Sequence, residues 1–226
     1  MYVFYDTETT GLSKEFGQIL QIAMLFTDDD MNILASKKLA CRPSPWVVPS
    51  AGAMLLTGFT PDDLKNEELS NYEMMREMDA WVRSKHWPVT FAGYNTLTFD
   101  EPMLAHNLYQ GLLDFNMTTE GNSENEQFNG RVDVMVLVKV AMLYAPGALT
   151  LDMRTPRGSR DIKLGNVARQ NGVVLSTEDA HDALNDTKAT VGVAKVIRKA
   201  APALWDQMLK MGTLEGVDAF LKTHEI

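Results

Sequence analysis

The first twelve residues, Met1-Tyr2-Val3-Phe4-Tyr5-Asp6-Thr7-Glu8-Thr9-Thr10-Gly11-Leu12, constrain this chain more than any other stretch of it. Tyr2 to Tyr5 is an unbroken run of strand formers, the pattern of a strand buried on both faces, and it runs into two acids, Asp6 and Glu8. Alternate residues of a strand share a face, so both carboxylates project to the same side. At about 5 Å and an effective dielectric of about 20, two such charges repel by about 3 kcal/mol. Either one acid is protonated, or a base reaches in, or a cation lies between them, and no Lys or Arg precedes Lys14. An all-oxygen carboxylate set suits Mg²⁺ or Mn²⁺. Most D-x-E pairs are solvated strand ends, so the metal reading needs further acids aimed at the same place.

With 226 residues the chain fits one domain, 1–226, with a core over about 1–200 and a helical tail over 201–226. Its 45% apolar and 23% charged content is that of a globular protein. No apolar stretch reaches the roughly 18 residues of a membrane helix, and the start of the chain lacks a signal-peptide pattern, so neither membrane nor secretion is expected. The single cysteine, Cys41, fits a reducing, cytoplasmic setting. Thirty acids against 21 bases give a net charge of −9, which argues against sequence-independent gripping of duplex nucleic acid but leaves room for a local basic groove.

Along the chain, residues 18–27 and 33–41 read as strands of an antiparallel hairpin joined by a turn at Asp28-Asp29-Asp30. Residues 42–50 hold three prolines and read as irregular. Thr60-Pro61-Asp62-Asp63 is a helix start, and Tyr72, Met75, Met78, Trp81 and Val82 mark a longer helix whose methionines fill a core. A strand over Val89–Tyr94 turns through Asn95–Asp100 into a helix ending near Leu113. The acidic stretch 114–130 reads as an exposed loop in which only Phe115 and Phe128 offer rings for base stacking. Residues 131–144 read as a helix, and a short helix near 162–171 follows a second loop.

The helix from about His181 to Lys199 carries Ala183, Thr190, Val193, Ala194 and Ile197 on one stripe, with Asp186 inside it. Asp100 lies at another strand end. The ends of strands in an α/β sheet face a common crevice, so Asp6, Glu8, Asp100 and Asp186 converge in this reading on a two-metal site.

Three blocks, YDTETTGL at 5–12, GYNTLTFDEPML at 93–104 and HDALNDTKAT at 181–190, resemble the motifs of the DEDDh 3′→5′ exonucleases. Within that superfamily the chain is most similar to the nuclease domain of the bacterial exodeoxyribonuclease I family, through LLTGFTPDD at 55–63, Tyr94-Asn95 before Phe99-Asp100, Asp133 and the Ala180–Ala183 block. The resemblance implies a ribonuclease H-like α/β fold with a mixed sheet flanked by helices. It implies Asp6, Glu8, Asp100 and Asp186 as ligands of two Mg²⁺ ions, with Mn²⁺ as a substitute, and His181 as general base. Asp133 would support the site. Glu8, Thr9, Thr10 and Leu12 would meet the terminal nucleotide, and Lys139 and Lys163 its phosphates. The implied activity is hydrolysis of single-stranded DNA to 5′-mononucleotides in DNA repair or replication, with RNA ends or small oligonucleotides as the alternative substrate. A non-catalytic binding module is the reading from another class, and the presence of all four acids and the histidine argues against it.

Overall fold

The computed structural model describes residues 1–85, 88–122, 127–174 and 182–224. Its centre is a five-stranded mixed sheet built from β1 (Tyr2–Thr9), β2 (Ile19–Thr27), β3 (Ile33–Ala40), β4 (Thr90–Gly93) and β7 (Gly130–Asp133). The order is β3-β2-β1-β4-β7, with β1 antiparallel to β2 and parallel to β4, and β4 parallel to β7. Two-residue strands β5 (Gly121–Asn122) and β6 (Gln127–Phe128) pair beside it. The helices are α1 (Ala51–Thr57), α2 (Pro61–Lys65), α3 (Asn71–Arg83), α4 (Asp100–Gln110), α5 (Val134–Tyr144), α6 (Leu164–Gln170), α7 (Ala183–Ala200), α8 (Pro202–Lys210) and α9 (Leu214–His224). Among the described residues no helix is long and apolar enough to cross a membrane.

The two-residue period of β1 divides the helices into layers. Tyr2 and Phe4 pack with α5, α6, α7 and the fully buried Trp205 of α8. Val3 and Tyr5 pack with Met74, Met75 and Met78 of α3 and with Met103, Leu104 and Leu108 of α4. The α3 methionines are core filler, as their spacing indicates. Because β1 is covered on both sides, Asp6 and Glu8 continue the face of Tyr2 and Phe4, the side on which α7 lies. Thr7 continues the opposite face, toward α4.

The 18–41 hairpin, its Asp28 turn and the Thr60 helix start all form, the last as a capping box in which Thr60 and Asp63 satisfy each other's backbone amides. Two segments depart from expectation. Residues 131–144 are not one helix. They open with β7, and the helix begins only at Val134, because the Asp133 side chain accepts from the amides of Met135 and Val136 and stops the strand there. Residues 114–130 are not wholly an exposed loop. Met117, Thr118 and Asn129 are buried, with the Asn129 side chain accepting from Val89 N (2.9 Å) and donating to Met117 O (2.9 Å). One amide thereby satisfies two buried backbone groups and pins the segment to β4.

Asp133 carries more than the α5 cap. Its carboxylate also accepts from Asn95 N (2.9 Å) and Leu97 N (3.3 Å), so it fixes the turn between β4 and α4 in which Asn95 adopts φ of 67°. With four amides depending on one buried carboxylate, Asp133→Ala should destabilise the chain by about 3 kcal/mol in urea denaturation, and Asp133→Asn by less. A loss below about 1 kcal/mol for the alanine variant would show that other groups hold this turn.

Candidate metal centre

The parallel run of β1 and β4 brings the ends of both strands to one edge of the sheet, and α7 crosses that edge. One carboxylate oxygen each from Asp6, Glu8 and Asp186 lies within 4.8 Å of the others. Asp186 sits one turn into α7, whose start is held twice. Asp182 caps it through Leu184 N and Asn185 N, and Ala183 N donates to Gln21 Oε1 (3.2 Å) on β2. Gln21 is the register partner of Glu8, so the strand bearing one acid and the helix bearing another are tied through a single side chain.

Asp100 joins from the opposite layer. It is the first residue of α4, is buried, and accepts from Thr7 N (3.2 Å) and Thr7 Oγ1 (2.6 Å). Its charge presses on both Asp6 and Glu8. It stands beside the three-acid cluster, not within it, because Thr7 holds one of its oxygens back toward β1.

Among the described residues no Lys or Arg forms an ion pair with Asp6, Glu8 or Asp100. The neighbouring Lys38 is engaged by Asp182 instead. The uncompensated charge appears in the titration of the site. Burial and then the charges of Asp100, Glu8 and Asp186 raise Asp6 well above the carboxylate range. Burial and the charges of Asp186 and Asp100 push Glu8 up to about 8. Burial likewise raises Asp100 to about 6, while the Thr7 hydrogen bonds hold it down. Such an all-oxygen donor set, in which Asp6, Glu8 and Asp100 have no cationic side chain paired to them among the described residues, fits a divalent cation.

Of the other residues expected at the site, Thr9 and Thr10 are buried and each hydroxyl makes one local hydrogen bond. Thr9 Oγ1 donates to Gly11 O (2.9 Å), and Thr10 Oγ1 accepts from Gln18 N (2.9 Å). Leu12 is 84% exposed. Thr10 and Leu12 border a groove of about 660 Å³ whose further lining includes Phe16, Trp46 and Val48. Trp46 is 82% exposed, yet its segment is fixed from below, where buried Gln18 donates to Arg42 O (3.1 Å) and accepts from Ser44 N (2.8 Å). Phe16 and Trp46 were not identified from the sequence, where isolated aromatics in loops carry no period to betray them. Lys139 lies exposed on α5, and Lys163 stands exposed at the head of α6. Neither makes an ion pair among the described residues. Asp133 is fully committed to backbone amides and is no part of the cluster. His181 lies outside the described residues.

The Exonuclease family model (RNase_T) matches residues 3–194, and the chain belongs to that family. Exodeoxyribonuclease I of Buchnera aphidicola (subsp. Schizaphis graminum) is 27% identical over 210 residues, 92% of this chain and 42% of that protein. The Escherichia coli K12 enzyme of the same name is 24% identical over 209 residues, again 92% of this chain and 42% of its relative. The chain thus spans less than half the length of these relatives. Among solved structures, E. coli Exonuclease I in complex with a dT13 oligonucleotide superimposes with a TM-score of 0.86 at 22% identity, covering 96% of this chain and 45% of that one. Exonuclease I from Methylocaldum szegediense gives 0.80 at 27% identity, covering 91% and 42%. The mixed sheet and its flanking helices therefore have the ribonuclease H-like fold that the motifs imply.

The raised carboxyl groups set the sign of a pH effect. A carboxyl whose folded pKa exceeds its unfolded value binds extra protons in the native state, so its contribution to stability is present at about pH 4 and is lost as pH rises through the folded value. In EDTA the melting temperature should therefore fall from about pH 4 upward, with the Glu8 share of that fall complete by a little above pH 8. Adding a divalent cation at pH 8 should reverse that fall, because binding to the native state alone stabilises it. Asp6→Asn should melt higher than the parent chain in EDTA and lose most of the cation response. A cation response that survived the substitution would remove Asp6 from the ligand set.

Proposed function

We propose that residues 1–226 act as a metal-dependent 3′→5′ exonuclease domain that hydrolyses single-stranded DNA to 5′-mononucleotides, with two Mg²⁺ ions and His181 as general base. The observation that carries this reading is the trio Asp6, Glu8 and Asp186 within 4.8 Å, with Asp100 beside it and no basic counter-charge on Asp6, Glu8 or Asp100 among the described residues. DNA is favoured over RNA because the relatives matching more than nine-tenths of the chain are exodeoxyribonucleases I. An oligoribonuclease of Neisseria meningitidis is 29% identical, but over 93 residues, 37% of this chain. Small RNA oligomers are the second reading, and matched DNA and RNA strands would separate the two. The single, buried Cys41 accords with a cytoplasmic location.

Bound cations would supply charge neutralisation for the attacking and leaving oxygens of the phosphodiester. Asp6, Glu8 and Asp186 would hold them, joined by Asp100. His181 precedes the Asp182 cap of α7 and takes the proton of the attacking water, a task suited to an imidazole that titrates near neutrality. Glu8, Thr9, Thr10 and Leu12 border the terminal nucleotide. The two buried threonines shape that edge, while exposed Leu12 offers an apolar contact to the base. Lys139 and Lys163 attract phosphates as mobile point charges.

Asp186→Ala should abolish cleavage of 5′-labelled single-stranded DNA in Mg²⁺ while the far-ultraviolet circular dichroism stays that of the parent. Near-normal turnover in that variant would refute the metal assignment. A blocked 3′ end should stop digestion and a blocked 5′ end should not, and rapid cleavage of circular single strands would overturn the exonuclease reading. His181→Ala should lower kcat by roughly 10²–10⁴-fold with cation binding retained. Full activity across pH 6 to 9 would deny the histidine any part in proton transfer.

A further inference from the structure

A chain of net charge −9 that acts on a polyanion needs a local reversal of sign, and one surface element supplies it outside the acid cluster. Residues 154–160 form a tight hairpin, RTPRGSR. Arg154 and Arg160 pair as antiparallel partners, Thr155 N donates to Ser159 O (2.8 Å), and Gly158 N closes the turn onto Thr155 O (2.8 Å) with φ of +83° at Gly158. The Thr155 and Ser159 hydroxyls bond each other at 2.8 Å, so the ladder is knit on one side by hydroxyls. Opposed residues share a face, which sets the Arg154 and Arg160 side chains together, while Arg157 occupies the tip.

All three guanidinium groups are exposed, and among the described residues none has an ion pair. The nearest acids in sequence are Asp152 and Asp161, and Asp161 is already engaged by Lys163 N (3.1 Å) and Asn166 Nδ2 (2.9 Å). Like charges placed directly opposite on a ladder are destabilising, so this arrangement works against the fold unless an anion lies across it. The hairpin is anchored to the elements that build the acid site. The Tyr94 hydroxyl, directly after β4, donates to Ile162 O, and Gln170 of α6 accepts from Asp152 N (2.7 Å) and Met153 N (2.9 Å). Val167 and Ala168 of α6 belong to the same buried cluster as Ala189 and Val193 of α7, the helix of Asp186.

We propose that the Arg154–Arg160 hairpin is an arm that grips the phosphates of a single-stranded nucleic acid outside the acid site. Guanidinium groups suit this task, because their fork binds two phosphate oxygens at once and stays charged at any working pH. The inference rests on the exonuclease reading for the identity of the polyanion, and binding in EDTA tests it without any cleavage. The dissociation constant of 5′-fluorescein-labelled dT20 is measured by anisotropy between 50 and 300 mM NaCl for the parent chain and for the combined Arg154→Gln, Arg157→Gln, Arg160→Gln variant. Three lost phosphate contacts should lower the slope of log K against log salt by about 2. The corresponding triple Lys variant, with its charge kept, should retain most of the slope. The Gln variant should melt no lower than the parent, since the opposed arginines repel.

A slope unchanged in the Gln variant overturns the proposal, as does sedimentation of the parent chain with phosphatidylglycerol vesicles in the absence of dT20 binding. An arginine-dependent slope in a chain that fails to cleave in Mg²⁺ supports the arm and refutes the nuclease reading. Cleavage combined with an arginine-independent slope does the reverse.

Discussion

Like-charge repulsion among carboxylates that cannot move apart is the interaction on which the rest of this structure turns. Asp6 and Glu8 stand two residues apart on a strand flanked by β2 and β4 and covered by helices on both faces. Their backbone has no freedom to relax, and α7 brings Asp186 into the same few ångströms. The energy stored there must come from the apolar packing of Tyr2 to Tyr5 and their neighbours, where each fully buried large side chain contributes about 1.5–3 kcal/mol. A rigid, well-filled centre is thus the condition for a site that would otherwise spread.

Two groups of acids in this chain look identical in composition. One is consumed by the backbone: Asp133 takes four amides, Asp182 caps α7, Asp63 closes a capping box and Asp28 holds its turn. The other, at the end of β1, has no Lys or Arg ion pair among the described residues. The difference lies in where each sits. Acids at helix starts and turns meet unsatisfied N–H groups, whereas Asp6 and Glu8 lie inside a ladder whose amides already have partners.

Much of this was legible beforehand, for reasons tied to particular residues. The run before Asp6, the 3.6-residue stripe around Asp186 and the Thr60 box are short-range patterns, and the strands and helices they indicate are present. What escaped depends on contacts distant in sequence. β7 is only four residues long and becomes a strand because β4 offers it an edge, and its end is set by a capping aspartate that also serves a turn 36 to 38 residues away. Asn129 buries part of an acidic stretch through two hydrogen bonds that composition cannot reveal. Of the four acids expected to converge where strand ends share a crevice, Asp6, Glu8 and Asp186 lie together, while the different approach of Asp100 follows from Thr7 lying on the other face of β1.

Trp205 of α8 is 1% exposed, stacks edge-on against Tyr2 at 5.9 Å and donates its indole N–H to the Tyr2 hydroxyl. The opening strand is therefore finished by a residue that lies past the last position matched by the family model, Ala194. Homology marks out a segment by what relatives share, whereas the smallest piece able to keep its first strand dry is set by this ring pair. A fragment ended at Ala194 would carry every acid of the cluster and still present Tyr2 to water.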